Sequence, residues 1–309
     1  LGERGELQDI IFDVSKTETP FMSMVGRVRC KSVRPEWQTD VLAAAATNRR
    51  IEGDDATTTA AVATVRVSNY CTISDKVPLV TGTVEVVDKA GRGSEIAYQI
   101  KKMGQELKRD LELMACGNYA SVAGNDTLAR ASGGFLAWIT TNGSRGAGAG
   151  ADGGYNAGTG VVDAATNGTQ RAFTETLLKA ALKDVWDNAN EAATKVIVGS
   201  FNKQTASGFG GIAQITREAS GSGQATIIGA ADIYRSDFGA VQILPDAFSP
   251  ARDCLIVNPE FWKFATLRPM FVTELAKTGD STRRQMLTEW TLISRNQAAS
   301  ASVADLTTS

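Results

Sequence analysis

Three groups of residues in this 309-residue chain have types and spacings that could do chemistry. Ser200-Phe201-Asn202-Lys203 is an S-x-x-K, Ser236-Asp237 begins an S-D pair, and Lys277-Thr278-Gly279 is a K-T-G. In that order they match serine acyl-enzymes, in which lysine activates the serine and no histidine is needed. The amide of S-D-N is missing, since Phe238 stands in its place, and Ser236 follows Ser200 too closely to admit a helical domain between them. Gly148, Gly150 and Gly153 satisfy G-x-G-x-x-G. A dinucleotide site needs a strand before those glycines and a helix N-terminus after them, and TTNGSRGA and GYNAGTG promise neither. Glu52, Asp54 and Asp55 cluster in a polar loop without the D-x-[DN]-x-[DN]-G order of a calcium loop, so they read as solvated charges. None of the three makes a complete catalytic constellation.

Composition narrows the field further. The chain has no histidine, which removes Ser-His-Asp and Cys-His catalysis and histidine-ligated metals. Lys plus Arg is 32 and Asp plus Glu 34, so the basic excess of a dedicated nucleic-acid binder is missing. Cys30, Cys71, Cys116 and Cys254 form no C-x-x-C pair, and a chain this long needs no disulfide framework. No cofactor is called for. No apolar run reaches 18 residues, and LGERGELQDI lacks the apolar centre of a signal peptide. The first residue is Leu1, which implies either numbering that starts partway in or a processed chain.

Periodicity supplies the elements that would position these residues. Leu7, Ile10, Ile11 and Val14 have helical spacing; Pro20 stops a helix at Thr19, and Phe21, Met22, Met24 and Val25 form an apolar plug. Ala63, Val65 and Val67, then Val80, Val84 and Val86, alternate with polar residues as half-buried strands. Between Trp37–Leu42 and Val62–Val67 lies a long polar stretch with Arg49, Arg50, Glu52, Asp54 and Asp55 at its tip, too long for an ordinary connection. Ile96, Ile100, Met103, Leu107, Leu111 and Met114 form one face of a helix over 93–116. Ser94 caps that helix, Gly117 stops it, and Lys102/Glu106 and Lys108/Glu112 pair on its outside. Residues 133–170 read as a Gly-rich, flexible or irregular excursion. Thr174 caps a second helix, with Phe173 stapled to Leu178. Lys195–Gly199 (KVIVG) and CLIVN are buried strands, a hairpin turns near Ser236–Gly239, and Met286, Trp290 and Leu292 share a strand face. Strands and helices mix without βαβ rhythm, which predicts an α+β fold.

Taken in order, several stretches resemble tailed-bacteriophage major capsid proteins of the Hong Kong 97-type (HK97-like) fold. They are Thr19-Pro20-Phe21, Glu36-Trp37-Gln38-Thr39-Asp40, Glu52-Gly53-Asp54-Asp55-Ala56, Ile73-Ser74-Asp75-Lys76, Gly82-Thr83 and Val87-Asp88-Lys89-Ala90-Gly91-Arg92. Glu106-Leu107-Lys108-Arg109-Asp110, Ser236-Asp237-Phe238-Gly239, Leu267-Arg268-Pro269 and Leu275-Ala276-Lys277-Thr278-Gly279-Asp280 complete the set.

The resemblance implies an N-terminal arm (1–33), a β-hairpin E-loop (34–86), and a P-domain with a spine helix and the Gly-rich excursion (87–171). It further implies an A-domain (172–264) and strands returning to the P-domain (265–309). It implies a non-enzymatic subunit of a virion shell, built from hexamers and pentamers in the bacterial host cytoplasm. Packaged double-stranded DNA would touch the shell weakly, and portal, scaffolding and decoration proteins would be partners, with no membrane. Phe21, Met22, Trp37, Arg49, Arg50, Glu52, Asp54 and Asp55 become the candidate subunit-interface residues. Some members cross-link the shell through an E-loop lysine; no lysine lies between Lys31 and Lys76, so no such bond is expected here. A bacterial encapsulin shell, a serine acyl-enzyme, and a phage adhesion or tail protein are the alternatives.

Overall fold

Strand pairing divides the chain between two main sheets. The computed structural model describes residues 18–56, 58–88, 93–209 and 232–309. The helical run at Leu7, Ile10, Ile11 and Val14 and the Lys89-Ala90-Gly91-Arg92 stretch lie outside the described residues. The helices are α1 (Pro20–Met24), α2 (Gly82–Val86), α3 (Glu95–Cys116), α4 (Phe135–Trp138), α5 (Glu175–Ala189) and α6 (Ser200–Ser207). The first strands are β1 (Gly26–Arg29), β2 (Glu36–Thr39), β3 (Val65–Ser68), β4 (Thr72–Lys76) and β5 (Leu79–Thr81). Next come β6 (Gly143–Ser144), β7 (Gly154–Asn156), β8 (Val161–Asp163), β9 (Lys195–Val198) and β10 (Ile233–Ser236). The last are β11 (Gly239–Pro245), β12 (Cys254–Val257), β13 (Trp262–Glu274), β14 (Ser281–Ser294) and β15 (Ala301–Val303).

One sheet runs β1-β13-β14-β4, with β5 pairing the far end of β14; the other runs β10-β11-β9-β12-β15-β6. β15 and β6 therefore lie in the second sheet, so the expectation that residues 265–309 return wholly to the first body does not hold. The expected E-loop range 34–86 is also too long. Only β2 and β3 form the loop stem, while β4 and β5 pair with β14. The buried apolar residues fall into two clusters, the first of which also takes Ile197, Leu255 and Val257 from one face of the second sheet. Phe21, Leu111, Phe135, Trp262 and Trp290 lie in one cluster, and Leu178, Val185, Val196, Tyr234, Ile243 and Ile256 in the other.

The long helix is built as its sequence dictates at both ends. The Ser94 hydroxyl accepts from Ala97 N, and Gly117 follows the last turn. A second cap arrives from α2. The Glu85 carboxylate accepts from Ser94 Oγ at 2.7 Å and from the backbone N–H groups of Glu95 and Ile96 at 3.0 and 3.3 Å. A carboxylate there satisfies orphan donors and complements the positive end of the helix dipole. This cap corrects the strand expected over Val80–Val86. After Thr81 the chain makes one helical turn that delivers Glu85 to α3, and Val84 and Val86 stay exposed, with no second layer among the described residues to bury them.

Glu112 is also corrected. It does not pair with Lys108 outside; it is fully buried, and its two oxygens accept from Phe21 N (2.6 Å) and Met22 N (2.9 Å). Pro20 thus opens a short helix, and Glu112 holds its first turn against α3. Burial pushes the Glu112 carboxyl up to about 7, with the Asp246 charge adding to the rise and the two N–H groups opposing it. The folded chain binds this proton more tightly than the unfolded chain. The stability it contributes is therefore complete below the unfolded value near 4.5 and is lost as pH rises through 7. A shift of this size corresponds to about 3 kcal/mol. Urea unfolding should show wild-type stability falling by that order between pH 5 and pH 8, with E112Q removing most of the fall. Asp253, raised by burial to about 6, supplies a smaller slope of the same sign. An unchanged slope in E112Q would contradict this assignment.

The Gly-rich region is largely irregular, one of the two forms expected of it, but it is packed rather than loose. Phe135 to Ile139 are all at most 3% exposed, and Gly146 N donates to the buried Asp305 carboxylate. The glycines allow backbones to touch. A Cβ on Gly134 would sit 2.2 Å from Gly117 O, and one on Gly146 would sit 1.9 Å from Thr169 O. Gly134→Ala should therefore destabilise the subunit by about 1–3 kcal/mol, read as a lowered thermal midpoint.

Candidate subunit interface

The feature with least support from its own chain is the β2–β3 hairpin. Its stem is a two-stranded ladder in which Trp37 pairs Val67 and Thr39 pairs Val65. Trp37 anchors this ladder: its indole N–H donates to Ser294 O at 2.8 Å, and its ring lies 5.6 Å from that of Trp138. Asn69 fixes the base. Buried, it donates to Ser132 Oγ, Gly133 O and Leu292 O and accepts from the N–H groups of Tyr70 and Gly133. Sequence reading passed over Asn69, because a single asparagine beside a strand carries no pattern.

Beyond the stem the support ends. Every described residue from 40 to 66 is exposed. Val41, Leu42, Ile51 and Val62 are 89, 94, 81 and 87% accessible, four apolar side chains that nothing among the described residues covers. Such a group on one extension is what an association surface looks like before its partner arrives. The tip itself is shaped. Asp54 N donates to Ile51 O at 3.2 Å, and Gly53 takes φ +82°, which closes a turn where a side chain would be strained. Arg50 donates to Asp55 O at 3.1 Å. Among the described residues, Arg49, Glu52, Asp54 and Asp55 make no ion pair within the subunit, so their charges face outward.

The eight sequence candidates therefore divide. Arg49, Arg50, Glu52, Asp54 and Asp55 gather at the exposed tip, and Trp37 sits at its root. Phe21 and Met22 are elsewhere and are corrected. They are 0 and 7% exposed inside the subunit's own core, with Phe21 edge-on to Phe135 at 5.7 Å, and have no surface left to give a neighbour. A second exposed apolar group, Leu79, Met270, Phe271 and Val272, lies along the distal part of the first sheet.

The profile of the SU10 major capsid protein family matches residues 2–307. The chain belongs to that family. Over 112 residues it is 38% identical to the major capsid protein of Escherichia phage Phieco32; the match spans 36% of this chain and about a third (32%) of that protein. The capsid of a native GTA particle superposes with TM-score 0.63 at 13% identity, covering 99% of this chain and 96% of that one. A Mycobacterium phage Bobi chain gives 0.62 at 11% identity, with the same coverage. The Phage G structure of gp27 major capsid proteins and gp26 decoration proteins gives 0.56 at 11%, covering 97% and 94%. At such identities the likeness establishes the fold: α+β, of the Hong Kong 97-type capsid class.

In this SU10-family chain the catalytic-looking motifs are dispersed. Lys203 does not serve Ser200; its ammonium bonds Asp232 Oδ1 at 3.1 Å and Ile243 O at 2.8 Å, tying α6 to the second sheet. Lys277-Thr278-Gly279 is the exposed turn between β13 and β14 of the first sheet. Gly148 to Gly153 run into the short strand β7, with no helix N-terminus to hold a pyrophosphate. Arg268, in the Leu267-Arg268-Pro269 stretch, has a structural task. It and Arg130 clamp the buried Glu289 carboxylate at 2.8 and 2.7 Å. No described helix is long and apolar enough to cross a membrane.

Proposed function

We propose that this chain is the major capsid protein of a tailed phage, and that copies of it assemble through the β2–β3 loop into an icosahedral shell around packaged double-stranded DNA. One observation carries the proposal: an extension of the subunit leaves Val41, Leu42, Ile51 and Val62 uncovered, while its base is locked to the body by Trp37 and Asn69. A loop that cannot bury itself gains order from a neighbour, and closed symmetry repeats each modest contact around the shell. Membership of the SU10 family favours a phage shell over an encapsulin.

The partners implied are copies of the chain in hexamers and pentamers, DNA held without a basic grip, and portal, scaffolding and decoration proteins. The decoration proteins in the Phage G assembly support that last class. Assembly would take place in the host cytoplasm and end in the virion. The charged tip sets register more than strength, since exposed ion pairs contribute about 0–1 kcal/mol each. Reversing Asp54 and Asp55 to lysine should leave circular dichroism and thermal unfolding unchanged and reduce the yield of shells seen by electron microscopy. Normal shells from the double variant would remove the tip from the contact.

A further inference from the structure

Two of the four cysteines are neighbours in space although 41 positions apart in sequence. Cys30 Sγ and Cys71 Sγ lie 3.7 Å from each other. Both backbones are pinned: Cys30 N donates to Thr266 O at 3.1 Å and Cys71 N to Val33 O at 2.8 Å. A disulfide is about 2.05 Å long, so closure requires the sulfurs to approach by about 1.7 Å, through side-chain rotation shared between the two residues. The other two cysteines, Cys116 and Cys254, are fully buried.

The pair is reachable from one side. Cys30 is half-buried and lies in an open depression of about 640 Å³ lined by Arg29, Lys31, Ser32, Arg34 and Glu36 among others, whereas Cys71 is buried beneath it. Arg29 and Lys31 are exposed and cationic at the rim. That arrangement suits a small anionic disulfide of the glutathione class, with carboxylates that the basic rim attracts.

We propose that Cys30 and Cys71 are an entry and a resolving thiol that close into an intramolecular disulfide at the base of the β2–β3 loop, by exchange with an anionic low-molecular-weight disulfide. The Cys30 thiolate attacks one sulfur of the small disulfide, forming a mixed disulfide and expelling one small thiolate. The Cys71 thiolate then attacks Cys30 Sγ and expels the second. Two protein thiols lose two electrons and two protons, and one small disulfide becomes two small thiols. The bond would fasten the arm segment after β1 to the start of β4, enclosing the whole exposed loop in a covalent ring. Burial raises the pKa of both thiols, so closure should be slow at neutral pH and quicken as pH rises.

Peptide mapping tests this on the purified protein. After incubation with glutathione disulfide at pH 8.5, the protein is denatured, alkylated without reductant and digested with trypsin. The expected product is Cys30-Lys31 joined to Val67–Lys76, two hydrogens lighter than the sum of the peptides, with only Cys116 and Cys254 alkylated. Reductant should release both peptides, Cys30→Ser should abolish the product, and closure at pH 7 should be several-fold slower. Four alkylated cysteines, a glutathione adduct that stays on Cys30, or a bond joining Cys30 to any cysteine other than Cys71 of the same chain would overturn the proposal. None of these outcomes bears on shell assembly, so the proposal fails or holds separately from it.

Discussion

Replacing residues 40–64 with Asn-Gly is expected to leave a folded subunit that forms no shells. Thr39 and Val65 are register partners at the end of the β2–β3 ladder, so a two-residue turn joins them without shifting a pair. The described residues among those removed are all exposed. Their loss should therefore change subunit stability by about 0.5 kcal/mol or less, and shortening the loop relieves a little closure entropy. Assembly should respond in the opposite way. Val41, Leu42, Ile51 and Val62 each offer about 1.5–3 kcal/mol on burial against a neighbour. Every subunit contact loses that contribution at once, and each 1.4 kcal/mol is about a tenfold change in association. Sedimentation should show subunits or capsomers where wild type gives shells, with unchanged urea unfolding. Intact shells from the shortened chain would show that the loop is dispensable.

Phe21→Ala is expected to act in the opposite sense, on the subunit before any shell forms. Phe21 has no exposed surface, meets Phe135 edge to face, and offers its N–H to Glu112. Phe135 in turn lies 4.6 Å from the ring of Trp262, so the deletion opens a void at the centre of an aromatic stack. Large-to-alanine changes at such aromatic positions cost about 3–5 kcal/mol. That is a large share of the roughly 5–15 kcal/mol by which a folded domain is stable. Chemical unfolding of the unassembled variant should show the full loss, together with faster proteolysis near α1. If F21A unfolds like wild type and fails only in assembly, Phe21 belongs at the subunit interface after all.

How far the sequence was legible follows from how local each signal is. The α3 and α5 helices, with their Ser94 and Thr174 caps, stand on spacing within a few turns, and the structure reproduces them. KVIV and CLIV are short apolar runs and pair side by side as β9 and β12. The hairpin turn falls at Ser236–Gly239. The misses have long-range causes. The low complexity of 133–170 left flexibility open, yet Gly134 is small because Gly117 O presses on it from another segment. Glu112 looked like an outer-face partner of Lys108, but its ligands are N–H groups some 90 positions away. β13 went unrecognised because Pro269 interrupts its pattern; the structure accommodates it where the register against β14 shifts. That the tip residues lie in an exposed loop was legible because a long charged stretch is conspicuous. Phe21 was misplaced because burial alone does not say against which copy a residue is buried.

Assembly through the β2–β3 loop requires that residues 40–66 be covered only in the assembled particle. A reconstruction of the shell by electron cryomicroscopy tests it directly. The loop is expected to lie across a neighbouring subunit, with Val41, Leu42, Ile51 and Val62 buried and the Arg49–Asp55 tip facing opposite charges. A shell in which the loop projects into solvent, with those four side chains as accessible as in the isolated subunit, would contradict it.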